Sequence, residues 1–452
     1  MGRINGSNLK KAFWYLRRNG FKNTCYAICE RLGERENYVY SSVNSETLRR
    51  QRERAEEYSA RFSIVVPAYR TREPYLRAML DSVQNQSYPK WELILADATE
   101  DDSVARVVKD YRDERVRYVR LLQNRGISEN TNQALGLVRF PYTALLDHDD
   151  VLSPDALFEM AQKIAEEENR GRKVKLLYSD EDKCDGEQTR YFEPNQKEDF
   201  NLDLLLSNNY ICHFLVMESS LIKELGFRKE YDGAQDFDLV LRAVGRLLGD
   251  ESQIAHIPKV LYHWRCHEAS TAQNPRSKQY AYEAGQRAVQ DFVDCQGWQA
   301  RAVHLKHLGF YDLEYQAPIF QVRKDVGAVG GKLISRGRIA GGRLLEDGRL
   351  LYEGLPAAYS GRLNGACLQQ DAYGVDIRLI QVRKECRELF EQAVGVPYVS
   401  LPGEETFDAS TLPGDIDIPR ASLAFGRAMK EAGFRILWQP SFCRKIREAG
   451  KE

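Results

Sequence analysis

Two acidic stretches and one basic stretch carry the residue types best suited to chemistry. Asp147-His148-Asp149-Asp150 closes an apolar run, Asp236 and Asp238 flank Phe237 in Gln235-Asp236-Phe237-Asp238, and His263, Arg265 and His267 alternate along IPKVLYHWRCH. Hard cations such as magnesium or manganese take carboxylate oxygens and keep water or substrate phosphate as their other ligands. Two carboxylates one residue apart at a strand end can therefore present a cation and leave room for a phosphate. The same residues also read as an acidic turn before a helix, because Leu152-Ser153-Pro154-Asp155-Ala156 is a good helix start. His213, inside the apolar NYICHFLVM, reads as a hydrogen-bonded core histidine.

The elements that must position these residues begin near Arg61. FSIVVPAY and WELILAD are β-branched apolar runs of the kind that form strands buried on both faces, and VRYVRLL and PYTALLD continue the series. Helical patterns over residues 75–86, VARVVKDYRD and SENTNQALGLV separate them. This β-α alternation predicts a mostly parallel sheet with right-handed crossovers. Ligands of such sheets bind beyond the carboxyl ends of the strands, which is where Pro67 to Arg70, Asp97 and Asp147 to Asp150 fall.

Past Asp180 the pattern weakens, with helices expected over residues 202–209 and 236–245. The run VGAVGGKLISRGRIAGG reads as turns, since no GK[ST] signature makes it a phosphate cradle. DFDLVLRAVGRLL followed by IAHIPKVLYHWR has an echo in DIDIPRASLAFGRAMKEAGFRILWQPSF, which suggests a partial repeat. Ahead of residue 61, Leu9, Phe13, Leu16, Phe21, Tyr26, Ile28 and Leu32 recur at helical spacing with Lys10, Lys11, Arg17 and Arg18 on other faces. This segment reads as a helical appendage packed on the protein or on a partner chain. A basic amphipathic helix at a membrane surface is its rival reading.

Composition narrows the classes. A length of 452 residues suits two domains with an appendage. A net charge of -1 argues against a nucleic-acid binder, while leaving a local basic site open. Nine cysteines without a CxxC pair, no apolar leader and no run long enough to span a bilayer predict a cytoplasmic protein with reduced thiols. Peripheral association with the inner face of the cytoplasmic membrane and homo-oligomerisation stay open.

VPAYR, WELILAD, NRGISENTNQAL, LLDHDD, YSDEDK, GAQDFDLVLR and IPKVLYHWRCHEASTA stand in an order and spacing that resembles glycosyltransferase family 2, in particular bacterial rhamnosyl- and galactosyltransferase-like proteins of surface-polysaccharide assembly. The resemblance covers roughly residues 9–315. It implies an α/β protein with a GT-A fold, Rossmann-like with flanking helices, a UDP- or dTDP-sugar donor, a divalent metal (manganese or magnesium) and inversion at the anomeric carbon. It further implies that Pro67, Ala68, Tyr69 and Glu73 lie at the nucleoside and that Asp97 bonds the base edge. Asn124, Gly126 and Asn130 would form the turn over the nucleotide. Asp147 and Asp149 match the metal motif, with Asp149 and His267 as metal ligands and Asp147 and His148 at the nucleotide-sugar. Arg265 would meet the diphosphate, and Asp236 would be the general base. Asp180, Asp182, Gln235, His263 and Trp264 would shape the donor-sugar or acceptor pocket. Two of these positions have plain structural readings as well: Asp97 as a turn cap and Asp236 as a helix N-cap.

The expected organisation is a helical extension over 1–60, a catalytic domain over 61–305 and a truncated, non-catalytic transferase-like domain over 306–452. The acceptor would be a glycan or a lipid-linked glycan. The alternatives are a non-catalytic subunit that binds nucleotide-sugar or glycan, and a nucleotidyltransferase, which the absent Gly-rich signature after the first strand disfavours.

Overall fold

The computed structural model describes residues 15–17, 20–29, 38–266 and 279–446. The chain divides into two compact units, one of residues 37–200 and 209–296, the other of 1–36, 201–208 and 297–452.

The first unit is built on one sheet. Its strands are β1 (Phe62–Ala68), β2 (Trp91–Asp97), β3 (Val116–Arg120), β4 (Tyr142–Leu145), β5 (Val151–Leu152), β6 (Leu176–Asp185), β7 (Tyr191–Asn195), β8 (Leu215–Glu218) and β9 (Ile254–Cys266). Their order is β3-β2-β1-β4-β8-β6-β9-β5, with β7 beside β6. β3, β2, β1 and β4 are parallel neighbours, as their apolar runs predict. β8 then enters antiparallel to both β4 and β6, and β9 runs parallel to β6. The α/β class holds, with a mostly parallel half-sheet and flanking helices as expected.

Helices Glu73–Gln84, Ser103–Asp110 and Ile127–Leu135 bridge the parallel strands. Leu76, Met79, Leu80 and Val83 on the first of these join Val104, Val107 and Val108 on the second. They pack with Ile64, Val66, Leu93 and Leu95 in the main core. Burial of this apolar surface is the dominant stabilising contribution.

In the second unit the Gly-rich run is a strand, not a set of turns. Val326–Ser335 is buried along its length and lies between its parallel neighbour Arg435–Lys445 and the antiparallel Arg338–Gly341. The glycines serve packing: a Cβ on Gly327 would meet Met429 Cε at 2.1 Å, and one on Gly330 would meet Val375 Cβ at 2.3 Å. Helix Leu202–Ser207 belongs to this unit, where the Arg323 guanidinium forks onto Asp203 at 2.9 Å on each side, both side chains fully buried.

The sequence echo has a structural counterpart. Helix Gln235–Leu247 is followed by β9, and helix Ile418–Glu431 is followed by Arg435–Lys445. Each closing strand pairs parallel with an earlier one, β6 or Val326–Ser335. Both ladders also slip alike. Ser179 to Glu181 faces Ile257 to Tyr262, and Gly330 to Lys332 faces Trp438 to Cys443.

Candidate active site

The four parallel strands end together, and the turn after β4 carries Asp147 to Asp150. The Asp150 amide closes this turn on Asp147 O at 3.3 Å. β9 holds it from the side. Asp150, 1% exposed, accepts from the Tyr262 hydroxyl at 2.6 Å and the Arg265 amide at 2.7 Å. The Arg265 guanidinium, itself 2% exposed, donates Nε to Asp149 O and Nη1 to Gly186 O, both at 2.6 Å, and lies 4.8 Å from the Tyr75 ring. Its Nη2 is buried with no hydrogen-bond partner among the described residues.

Asp147, Asp150 and His213 bring one ligand atom each within 4.8 Å of one another. His213 Nε2 stands 3.8 Å from Asp147 Oδ2. Its ring meets Tyr262 edge-on at 4.7 Å and stacks with Trp264 at 5.9 Å. Asp147 keeps 51% of its side-chain surface, yet protein crowds it, and that desolvation raises its carboxyl above the ordinary range. Asp149 and Asp236 add to the rise, and His213 and His148 oppose it. Burial pushes Asp150 well up, with Asp149 and Asp147 reinforcing it. Carboxylates that repel one another in this way, beside an imidazole, fit a divalent cation, which would relieve the repulsion.

This trio differs from the expected ligands. Asp149 does not belong to it; its carboxylate lies 3.9 Å from His148 Nδ1. His267 lies outside the described residues. Asp150 and His213 are the additions. Asp150 directly follows the Asp-x-Asp spacing, so a signal existed for it. His213 reaches the turn through the fold alone.

Asp236 opens helix Gln235–Leu247, but the N-cap position is Ala234 and no side chain caps the helix. The Asp236 carboxylate instead accepts from Asn209 Nδ2 at 3.0 Å and the Cys212 thiol at 3.2 Å, both on Oδ2. Cys212 also touches His213 Nδ1 at 2.8 Å, so it links the candidate base to the acidic trio. Burial, then Asp236 and Glu181, push the Cys212 thiol well up. Below this cluster, buried Lys197 donates to Ile211 O at 2.7 Å and to His213 O. Burial would raise Glu181, but Lys197 and His213 outweigh it and hold that carboxyl below its usual value. Asp238 is spent on Arg228 and Arg242.

The remaining expected positions divide into two groups. Around the strand ends, Pro67 and Tyr69 are half-buried and Ala68 is buried, with the Tyr69 hydroxyl on Glu100 at 3.0 Å. Glu73 is exposed and paired with Arg77. Asp97 is fully buried, accepting from Thr99 N at 2.9 Å and the Tyr118 hydroxyl at 2.8 Å, so the turn-capping bond is present. Asn124 Oδ1 accepts from Gly126 N at 3.0 Å and Asn130 Nδ2 at 2.9 Å, which closes the expected turn on itself. Gly126 has φ +99°, a left-handed value that favours glycine, and its missing Cβ leaves room for Asp232 Oδ2.

Along β6 and β9 the expected pocket residues are internal partners. Asp180 accepts from His256 and from Lys197 N, and Asp182 from the Tyr38 hydroxyl and His263, all between 2.6 and 2.9 Å. His263 lies edge-on to Tyr40 and Tyr191 and is buried, so it faces the interior and not a ligand surface. Gln235 folds back on Gly233 N at 2.7 Å, and Trp264 stays half-buried beside Lys183 and His213.

Residues 63–226 match the family model of glycosyl transferase family 2. An uncharacterised protein of Sinorhizobium fredii is 43% identical over 235 residues, covering 51% of this chain and 25% of that protein. The O-antigen biosynthesis protein RfbC of Myxococcus xanthus is 34% identical over 242 residues, covering 53% of this chain and 18% of its own length. The chain thus spans a quarter or less of either relative. Among solved structures, S. aureus TarS in complex with UDP is 21% identical with a TM-score of 0.39, covering 52% of this chain and 65% of that one. The mannosyltransferase PcManGT of Pyrobaculum calidifontis, in complex with GDP-Man and Mn2+, is 15% identical with a TM-score of 0.36, covering 65% and 82%.

Proposed function

We propose that this chain, a member of glycosyl transferase family 2 by its residues 63–226, transfers a sugar from a UDP- or dTDP-linked donor to a growing surface glycan. The acceptor is a glycan or a lipid-linked glycan, the class of work named for the O-antigen relative. The observation that carries the reading is the meeting of Asp147, Asp150 and His213 with Asp236 beside the carboxyl ends of the parallel strands.

The transfer is a single displacement. The acceptor oxygen forms the new bond to the anomeric carbon while the bond to the diphosphate oxygen breaks, and its electron pair leaves with the phosphate. Asp147, Asp150 and His213 would hold a divalent cation, and Asp149 stands beside that set. Such a cation supplies the charge that a departing diphosphate needs. Asp236 takes the proton of the attacking hydroxyl. Its Oδ2 is anchored by Asn209 and Cys212, which leaves Oδ1 for the acceptor. The unpartnered Nη2 of Arg265 is a further donor for a phosphate oxygen.

The test is nucleotide release from UDP- and dTDP-sugars, with and without manganese and a glycan acceptor. Release that needs both, and that Asp147→Asn abolishes, supports the transferase. Nucleotide binding with no turnover on any donor would instead support the non-catalytic subunit.

A further inference from the structure

Residues 20–29 form a helix that packs through Asn23, Thr24 and Tyr26 and leaves an apolar stripe exposed. Asn23 donates Nδ2 to Ala358 O at 3.1 Å. The Tyr26 hydroxyl accepts from Arg338 at 3.2 Å, and its ring lies 5.8 Å from that of Tyr359. Asn23 and Tyr26 therefore mark the packed face. Phe21, Cys25, Ile28 and Cys29 follow the i, i+4, i+7, i+8 spacing of a single stripe on the other side, and all four are exposed. Phe21 shows 76% of its surface and Ile28 47%. A helix that only packed on its own domain would bury that stripe.

Charge points the same way. Residues 1–29 contain six basic residues and no acidic one, in a chain whose net charge is -1. Arg17 and Lys22 of this segment are exposed. An apolar stripe flanked by cations is complementary to a bilayer with anionic headgroups. A second copy of the same face would bring like charges together.

We infer that the helix over residues 20–29 docks the protein on an anionic lipid surface. It lies in the headgroup layer, with Phe21 and Ile28 inserted and Arg17 and Lys22 against the phosphates. The inference does not depend on the transfer reaction proposed above.

The experiment is co-sedimentation of the full chain with vesicles of equal parts phosphatidylglycerol and phosphatidylcholine, and with vesicles of phosphatidylcholine alone. The expected result is binding to the anionic vesicles that weakens in high salt. Phe21→Ser combined with Ile28→Ser should lower it by about ten-fold or more, since each exposed side chain would lose its apolar burial. Lys22→Glu should lower it several-fold, and neither variant should change the melting temperature. Equal partition onto both vesicle types, or full binding by the double serine variant, overturns the inference. So does a wild-type dimer in solution that the double variant converts to monomer. Nucleotide release on a soluble acceptor, measured on the same preparations, keeps a failure here separate from a failure of the transferase reading.

Discussion

Replacing Asp236 by asparagine isolates the proposed proton transfer from every structural role of that residue. The helix it opens has Ala234 at the N-cap and no capping side chain, so the substitution removes no cap. The bonds it does make, from Asn209 and Cys212 to Oδ2, can be accepted by an amide oxygen, so the cost to stability is within about 1.5 kcal/mol. Part of that is offset, because Asp236 is one of the charges that raise Asp147. An amide cannot take a proton from the acceptor hydroxyl, and general-base catalysis is worth on the order of a hundred- to ten-thousand-fold. The expected result is UDP affinity within a few-fold of wild type, a melting temperature within a few degrees of it and a transfer rate down by at least about a hundred-fold. Calorimetry and rate assays on the same protein provide all three. A rate within about three-fold of wild type would refute the assignment; Asp238 and Asp180 are already held by Arg242 and His256.

Four further outcomes follow from the same geometry. Asp147 and Asp150 have carboxyls raised above the ordinary value of about 3.9, so protons compete with a cation there; the gain in melting temperature from manganese should grow as pH rises from acid to neutral, and a gain independent of pH would contradict the trio. Arg265→Ala removes the guanidinium bonds to Asp149 O and Gly186 O, worth about 1–3 kcal/mol each, so thermal unfolding should shift down by several degrees and donor binding should weaken. Gly330→Ala places a Cβ within 2.3 Å of Val375 in a buried strand, and overpacking of about 1–3 kcal/mol should appear as a lower denaturation midpoint. Titration calorimetry with UDP should give one site per chain, and a second site of similar affinity would overturn the account of the repeat below.

The parallel half of the first sheet was legible because β1, β2 and β4 are mainly apolar, β3 alternates, and helical patterns separate them. The ends of those strands, and hence the place of Asp97 and Asp147 to Asp150, followed directly. What stayed hidden depends on pairings across long stretches of chain. Nothing local in LVME marks β8 as the strand that enters antiparallel between β4 and β6. His213 sits among apolar neighbours in sequence, and only the approach of β9 aligns its ring with Tyr262 and Trp264. Asp180 and Asp182, two residues apart on β6, share a face of the strand, and sequence does not reveal that His256 and His263 of β9 already hold them. The Gly-rich run failed as a turn signal for a related reason. Glycine marks close approach as readily as it marks a turn, and here the close neighbours are Met429 and Val375.

The second unit repeats the β6–β9 ladder without its chemistry. Register matching through the shared slip puts Lys332 and Cys443 where Glu181 and Tyr262 pair, and Leu333 and Arg444 where Asp182 and His263 pair. Two steps further along the closing strand, Ile446 stands in the place of Arg265, the residue that pins the acidic turn of the first unit. Tyr262, which binds Asp150 in the first unit, becomes a cysteine that can make no comparable bond across to a buried carboxylate. The backbone device that aims β9 at the acidic turn has therefore been kept in Arg435–Lys445, while the side chains that use it have been replaced. A backbone slip survives such replacement because it is set by strand packing, here around Trp438 and the glycines it lies against, and not by ligand contacts. Among the described residues, the grouping of acidic side chains with an imidazole is therefore in the unit that holds Asp147, Asp150, His213 and Asp236.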